Sequence, residues 1–233
     1  MHKGRRFAIG DIHGCFRTFK YLVEEELHLT SSDSLFLLGD LIDRGPGSKA
    51  VIDYVRELSD DMVVRPVLGN HEFMMLQSLD DEDYFRLWTS NGCAMTLLSF
   101  GVAMSQVDNW KSVSIIPEDY MDFIKTWPLY EKTDDFLFVH AGVDASGKDP
   151  LGDAETVLWT RSEEVPLDFL QGRKLIHGHT PVPLSLIQER LKNPETKIFN
   201  LDGGCVYATY PGLGFLVALD LDQMILHSVR NME

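Results

Sequence analysis

Three times within the first 80 residues a short apolar run breaks off into a glycine-containing loop of acids, imidazoles or amides, and a helical pattern follows. Residues 5–9 read as a buried strand leaving through Gly10-Asp11-Ile12-His13-Gly14. Apolar residues then recur at Phe16, Phe19, Tyr21, Leu22, Val23 and Leu27, close to helical spacing. Residues 34–38 repeat the pattern and exit through Gly39-Asp40-Leu41-Ile42-Asp43-Arg44-Gly45-Pro46-Gly47, with Ser48 predicted to cap a helix through Leu58. Residues 62–68 form a third strand, Gly69-Asn70-His71-Glu72 its polar exit, and a helix is expected from Phe73 to Leu79. Such alternation predicts an α/β fold, and in open α/β sheets ligands bind at the carboxyl edge, where these loops lie.

The rest of the chain changes character twice. Residues 80–127 carry helical stretches rich in Trp, Met and Phe without a chemical motif, and read as a helical insertion beside the site. A strand at 129–130 precedes one at 136–139 that delivers His140-Ala141-Gly142-Val143-Asp144. Trp159 and Arg161 follow a Gly/Asp-rich loop, and a strand at 174–176 delivers His177-Gly178-His179-Thr180-Pro181. Strands at 198–201, 215–219 and 224–229 make the end β-rich. No repeat or linker interrupts the chain, so one domain over residues 1–233 is expected.

A net charge of −15 makes the surface repel polyanions, which argues against nucleic acid as a partner. It does not exclude a phosphorylated substrate, because a few arginines and metal ions can reverse the field locally. Cys15, Cys93 and Cys205 are too few and too far apart for a disulfide framework or a thiolate zinc site. Cys15 reads as a small buried residue at a helix start. No run approaches membrane-spanning length, and the expected location is the cytoplasm.

Gathered together, the strand-end residues Asp11, His13, Asp40, Asn70, His71, His140 and His179 form a mixed oxygen and nitrogen donor set. Such a set suits Mn, Fe or Zn better than Ca or Mg, which prefer oxygen throughout. There are enough ligands for two ions. Taken singly, most strand-end aspartates are turn residues, and Asp144 and Asp153 are read that way. His177 is expected to stand behind the ligands, although at i and i+2 on one strand it would point the same way as His179. His2, His28 and His227 lie outside every motif and read as surface or packing residues.

Five motifs in order, Gly10-Asp11-x-His13-Gly14, Gly39-Asp40-x-x-Asp43-Arg44-Gly45, Gly69-Asn70-His71-Glu72, His140-Ala141-Gly142 and Gly178-His179-Thr180, resemble those of the phosphoprotein phosphatase branch of calcineurin-like metallophosphoesterases. The bacterial and phage-type serine/threonine phosphatases are most similar. The resemblance implies two mixed β-sheets packed as a sandwich and flanked by helices. It implies that Asp11 and His13 hold one divalent ion, that Asp40 bridges, and that Asn70, His140 and His179 hold a second. Mn2+ is the first expectation for both, with Fe or Zn as alternatives. Arg44 and Arg161, with Asn70, would grip the phosphate, since guanidinium forks match its oxygens. His71, oriented by Asp43, would protonate the leaving group while a metal-bridging hydroxide attacks in line.

The substrate implied is a phosphorylated protein or a small phosphoester. The rival reading is a symmetrical dinucleoside tetraphosphate hydrolase, a sister family sharing the Gly45-Pro46-Gly47-Ser48 flavour of the second motif. That sister family carries Gln at the position of His13 and lacks the acid at Asp43, so the motifs favour a phosphomonoesterase. A catalytically dead scaffold would show erosion of the acids or arginines, and none is seen.

Overall fold

The structure is a computed structural model that describes residues 4–146, 149–162 and 164–233; His2 lies outside them. The first half of the chain alternates as expected. β1 (Arg6–Ile9) leads to α1 (Phe16–Tyr21), which runs on through a π-helical turn at Leu22–Glu26. β2 (Ser34–Leu37) precedes α2 (Ser48–Asp61), and β3 (Val63–Pro66) precedes α3 (Asn70–Gln77). The insertion is helical, with α4 (Glu82–Ser90), α5 (Ala94–Ser99), two 3-10 turns and α6 (Glu118–Lys125). After it come β4 (Tyr130–Lys132), β5 (Phe136–Val139), α7 (Ala154–Trp159), α8 (Leu167–Leu170), β6 (Lys174–His177), α9 (Leu184–Lys192), β7 (Ile198–Asn200), β8 (Phe215–Asp220) and β9 (Ile225–Arg230).

The strands form two mixed sheets. One has the order β3-β2-β1-β8-β9, the other β4-β5-β6-β7. β1, β2 and β3 run parallel, as do β5, β6 and β7, while β8, β9 and β4 pair antiparallel. Side chains alternate faces along a strand, and the residues sort accordingly. Ala8, Phe36 and Leu38 meet Phe138, Ile176 and Phe199 between the sheets, where the rings of Phe36 and Phe138 stack at 4.1 Å. Phe7, Ile9, Leu35 and Leu37 face the other way, onto Phe19, Val51, Ile52 and Val55 and onto Trp88 and Leu97 of the insertion. Leu137, Val139 and Leu175 pack outward on Val157 and Leu170. The apolar runs that read as fully buried strands are therefore sandwiched on both sides.

Some local expectations fail for identifiable reasons. Ser48 is not a cap: Gly47 occupies that place, and the buried Ser48 hydroxyl accepts the backbone N–H of Asp43 at 3.0 Å. Asn70, His71 and Glu72 do not form a loop but the first turn of α3, so their side chains are fixed by a helix. The late segment holds helices α8 and α9, hidden in sequence by their short length and weak periodicity. Asp153 caps α7 and Asp144 bonds Ser146, as turn acids do. Cys15 is buried at the start of α1. Among the described residues no helix is long and apolar enough to cross a membrane.

Candidate metal centre and phosphate pocket

The five loops converge at one edge of the sandwich. Asp11, His13, Asp40, Asp43, Asn70, His71, His140 and His179 are all buried there, far more polar surface than a core tolerates without pairing. Backbone conformation brings them together at a cost. His13, Asp40, Asp43, Arg44 and His179 all have positive φ, between 46° and 71°, a region that L residues occupy only when neighbours hold them. Gly178 has to lack a side chain, because a Cβ there would lie 2.0 Å from Asp11 Oδ1.

The imidazoles are held in defined tautomers. His140 donates Nδ1–H to the Leu38 carbonyl at 2.8 Å, and His13 donates Nδ1–H to the Ile42 carbonyl at 2.9 Å. Each thereby turns an Nε2 lone pair toward Asp40, at 3.3 Å from His140 and 3.6 Å from His13. A carbonyl behind the imidazole is the usual support of a metal-bound histidine. Two donor groups result, His13, Asp40 and His71 in one and Asp40, His140 and His179 in the other, with Asp40 common to both. His71 stands in the first group where Asp11 was expected. Asp11 is adjacent rather than absent, its two oxygens accepting the His179 N–H at 3.1 Å each. His177 ends β6 opposite Asn200 and belongs to neither group, because His179 has already left the strand.

A divalent ion fits this donor set. Asn70 Oδ1, His140 Nε2, His179 Nδ1 and Asp40 Oδ1 crowd to separations of 2.8, 3.1 and 3.3 Å. Ligands about 2.1 Å from one ion stand about 3 Å apart when adjacent. With the Asn70 amide nitrogen turned inward, it would donate to the same atoms, so the crowding alone admits two explanations. The charges favour the ion. Burial, Asp202 and Asp40 push the Asp11 carboxyl well up. Burial and the Arg44 guanidinium push His13 well down, and burial with His140 pushes His179 down to about 3. Burial would also raise Asp40, but His140, His71 and His13 outweigh it and hold the carboxylate low. A cation at this point satisfies buried acids and neutral imidazoles together.

Around that centre stand the remaining predicted residues. His71 donates Nδ1–H to Asp43 Oδ2 at 2.6 Å, while its buried Nε2 has no hydrogen-bond partner and lies 3.8 Å from Asp40. Burial alone would lower the His71 pKa, but Asp40 and Asp43 raise it. Arg44 reaches Nε2 of His13 and lies over the Tyr207 ring at 5.6 Å. Arg161 is exposed and, with Arg44, lines a cavity of about 320 Å³ that is lined also by His179, Pro181, Tyr207 and Tyr210.

Sequence reasoning missed four supporting groups. Glu72 stands in its motif with no role that sequence marks; its carboxylate accepts four backbone N–H groups, from Asp40, Leu41, Ile42 and Gly69, at 2.8–3.1 Å. Burial and Asp40 push it up to about 7. Trp88 and Thr96 reach Asp43 from the insertion, and no motif marks them. Asp202 is buried behind Asp11 and pushed up to about 7 mainly by that burial. Only its place just past a strand could have drawn attention to it.

Over 139 residues the chain is 30% identical to a symmetrical bis(5'-nucleosyl)-tetraphosphatase of Nitrosospira multiformis, covering 59% of this chain and 43% of that protein. A namesake from Aromatoleum aromaticum is 49% identical over 71 residues, 30% of this chain and 25% of its own. The chain thus spans less than half the length of these curated relatives. Among solved structures, a candidate diadenosine tetraphosphatase superposes with a TM-score of 0.65 at 20% identity, covering 100% of this chain and 96% of that one. A protein serine/threonine phosphatase from Saccharomyces cerevisiae gives 0.63 at 14% identity, covering 99% and 81%. These structures share the fold. The calcineurin-like phosphoesterase profile matches residues 5–207, most of the chain, and this protein belongs to that family.

Proposed function

We propose that this chain is a two-metal phosphohydrolase whose substrates are small phosphoesters of the dinucleoside tetraphosphate class. The observation that carries the two-metal reading is the sharing of Asp40 by two buried donor groups, beside a cavity bearing two arginines. In this reading Asp11, His13 and Asp40 would hold one divalent ion, with His71 of the first donor group kept as proton donor and its place as ligand taken by the adjacent Asp11, and Asp40, Asn70, His140 and His179 would hold the other. Mn2+ is the first candidate. When bound, the ions supply Lewis acidity to the phosphoryl oxygens and acidify water for in-line attack.

The chain's own groups do the rest. Arg44 and Arg161, which both line the cavity, grip phosphoryl oxygens and orient the substrate. Asn70 shares that contact. His71 holds a proton on Nε2 for the leaving oxygen, and Asp43 fixes the ring through Nδ1 and favours the imidazolium. Burial of Asp43, Asn70 and His71 reduces the screening of the charges there, while Arg161 stays exposed.

The motifs alone favoured a phosphorylated protein as substrate; the named relatives support the dinucleotide instead. One observation keeps the protein phosphatase as a second reading. Expelling a serine alkoxide needs an acid, whereas a departing phosphate needs little help, and the buried His71–Asp43 pair is built to supply one. Assaying diadenosine tetraphosphate, a phosphoserine peptide and a phosphotyrosine peptide side by side tests the choice. The proposal expects the highest kcat/KM on the dinucleotide; a phosphoserine preference would overturn it in favour of the second reading.

A further inference from the structure

The helical insertion has no role marked in sequence, yet it touches Asp43 and Arg44, two consecutive residues of the second motif. Trp88, near the end of α4, donates Nε1–H to Asp43 Oδ2 at 2.6 Å, the same oxygen that receives His71. Thr96, in the first turn of α5, donates its hydroxyl to the other oxygen at 2.5 Å and accepts the Asp43 N–H at 2.9 Å. Between them, the Gly92 carbonyl in the α4–α5 turn accepts the Arg44 N–H at 3.2 Å. Trp88, Thr96 and Asp43 are fully buried.

The grip falls on strained backbone. Asp43 and Arg44 are consecutive non-glycine residues with φ of 71° and 68°, a conformation that persists only when surroundings hold it. Gly92 is itself at φ +106°, and a Cβ there would press 3.0 Å from Arg44 Cγ. The turn therefore fits closely under the arginine.

We propose that the α4–α5 turn is a positioning element: Trp88 and Thr96 aim Asp43 at His71, and Gly92 sets the direction of Arg44. It rests on the roles given above to His71, Asp43 and Arg44. Two consequences separate it from mere packing. Loosening Asp43 degrades proton donation, which matters for a poor leaving group and little for a good one. Displacing Arg44 weakens phosphate binding whatever the leaving group.

The test uses Mn2+-loaded protein and four variants. Trp88→Phe keeps the ring and removes the N–H; Thr96→Val keeps the shape and removes the hydroxyl; Thr96→Ser restores it; Gly92→Ala adds one methyl. Each is assayed on an alkyl phosphate and on p-nitrophenyl phosphate, with inorganic phosphate as competitive inhibitor, alongside a melting curve. Trp88→Phe and Thr96→Val are expected to lower kcat on the alkyl ester roughly tenfold or more and on the aryl ester less than about threefold. Thr96→Ser should recover most of that loss. Gly92→Ala should weaken phosphate inhibition severalfold with little dependence on leaving group. Folded Trp88→Phe and Thr96→Val proteins that keep wild-type rates, or lose both substrates equally, would overturn the proposal. Should Trp88→Phe fail to fold, the Thr96→Val and Thr96→Ser pair decides alone. His71→Asn is the control: if it shows no leaving-group dependence, the acid assignment fails rather than the positioning.

Discussion

The two loops that carry the arginines are built in opposite ways. The loop after β2 is held mostly from far along the chain: Glu72 accepts three of its N–H groups, Thr96 takes that of Asp43 together with the nearby Ser48, and Gly92 takes that of Arg44. Several side-chain bonds in the segment before Arg161 run between near neighbours, beside backbone bonds from Ala141 and Gly142 to the Val157 carbonyl. Asp144 accepts from Ser146 and Asp153 from Glu155 and Thr156, and Arg161 itself is exposed. Strained φ values in the first loop need those distant partners, while none of the described residues 144–161 has a positive φ and turn bonds add bracing there. The difference teaches where each kind of function resides. In the proposed reading, proton donation and ion bridging tolerate no looseness and would sit on the long-range scaffold. The exposed arginine suits contact with a variable substrate.

Substitutions can break that contrast or sharpen it. The largest effect short of the bridging acid is expected at His71: His71→Asn should cost about 10²–10⁴ in kcat on an alkyl ester and far less on an aryl one. Equal losses would remove His71 from the acid role. Next comes the pair of arginines. Arg44→Ala should raise KM about a hundredfold and Arg161→Ala about tenfold, since the first is held against His13 and the second is exposed. A reversed order would undo the contrast between the loops. Glu72→Gln leaves a single acceptor oxygen for four N–H groups and should lower stability by about 2 kcal/mol, read as a drop in Tm.

Smallest should be a substitution remote from both loops. Asp33 is held by Arg5 at 2.7 Å. Burial works to raise its pKa, but the hydrogen bonds from Arg5 and Thr30 lower it below the usual carboxylate value. The folded pKa is depressed, so this stabilisation is present above the unfolded value and is lost as pH falls through the folded one. With Arg5 40% exposed, screening leaves at most about 1 kcal/mol. Asp33→Asn should cost that much near neutral pH and nothing in strong acid, with catalysis unchanged; chemical melts at both pH values check it.

Much of this was legible because the chemistry lies in short loops at the ends of apolar strands. Asp11, His13, Asp40, Asn70, His140 and His179 were each named from such a loop, and all are gathered at one sheet edge. The alternation of Phe7, Ala8 and Ile9 across two cores likewise follows from strand geometry. What stayed hidden depends on tertiary contact. Trp88 in a helical stretch reads as packing, since nothing local says that its N–H will meet Asp43, 45 residues earlier. Glu72 was visible in its motif, yet its partners are backbone groups that sequence does not mark. Helix α8, only four residues long, left too little periodicity to read.

The central claim is that Asp40 joins two divalent ions at a hydrolytic centre. Exhaustive chelation followed by stepwise return of Mn2+ to wild type and to Asp40→Asn, with ion stoichiometry and aryl phosphate hydrolysis followed together, tests it most directly. Wild type should lose its activity and regain it with two ions per chain, and Asp40→Asn should hold neither tightly and lose roughly 10³-fold or more of the rate. Full hydrolysis surviving chelation, or two tightly held ions in Asp40→Asn, would contradict the claim.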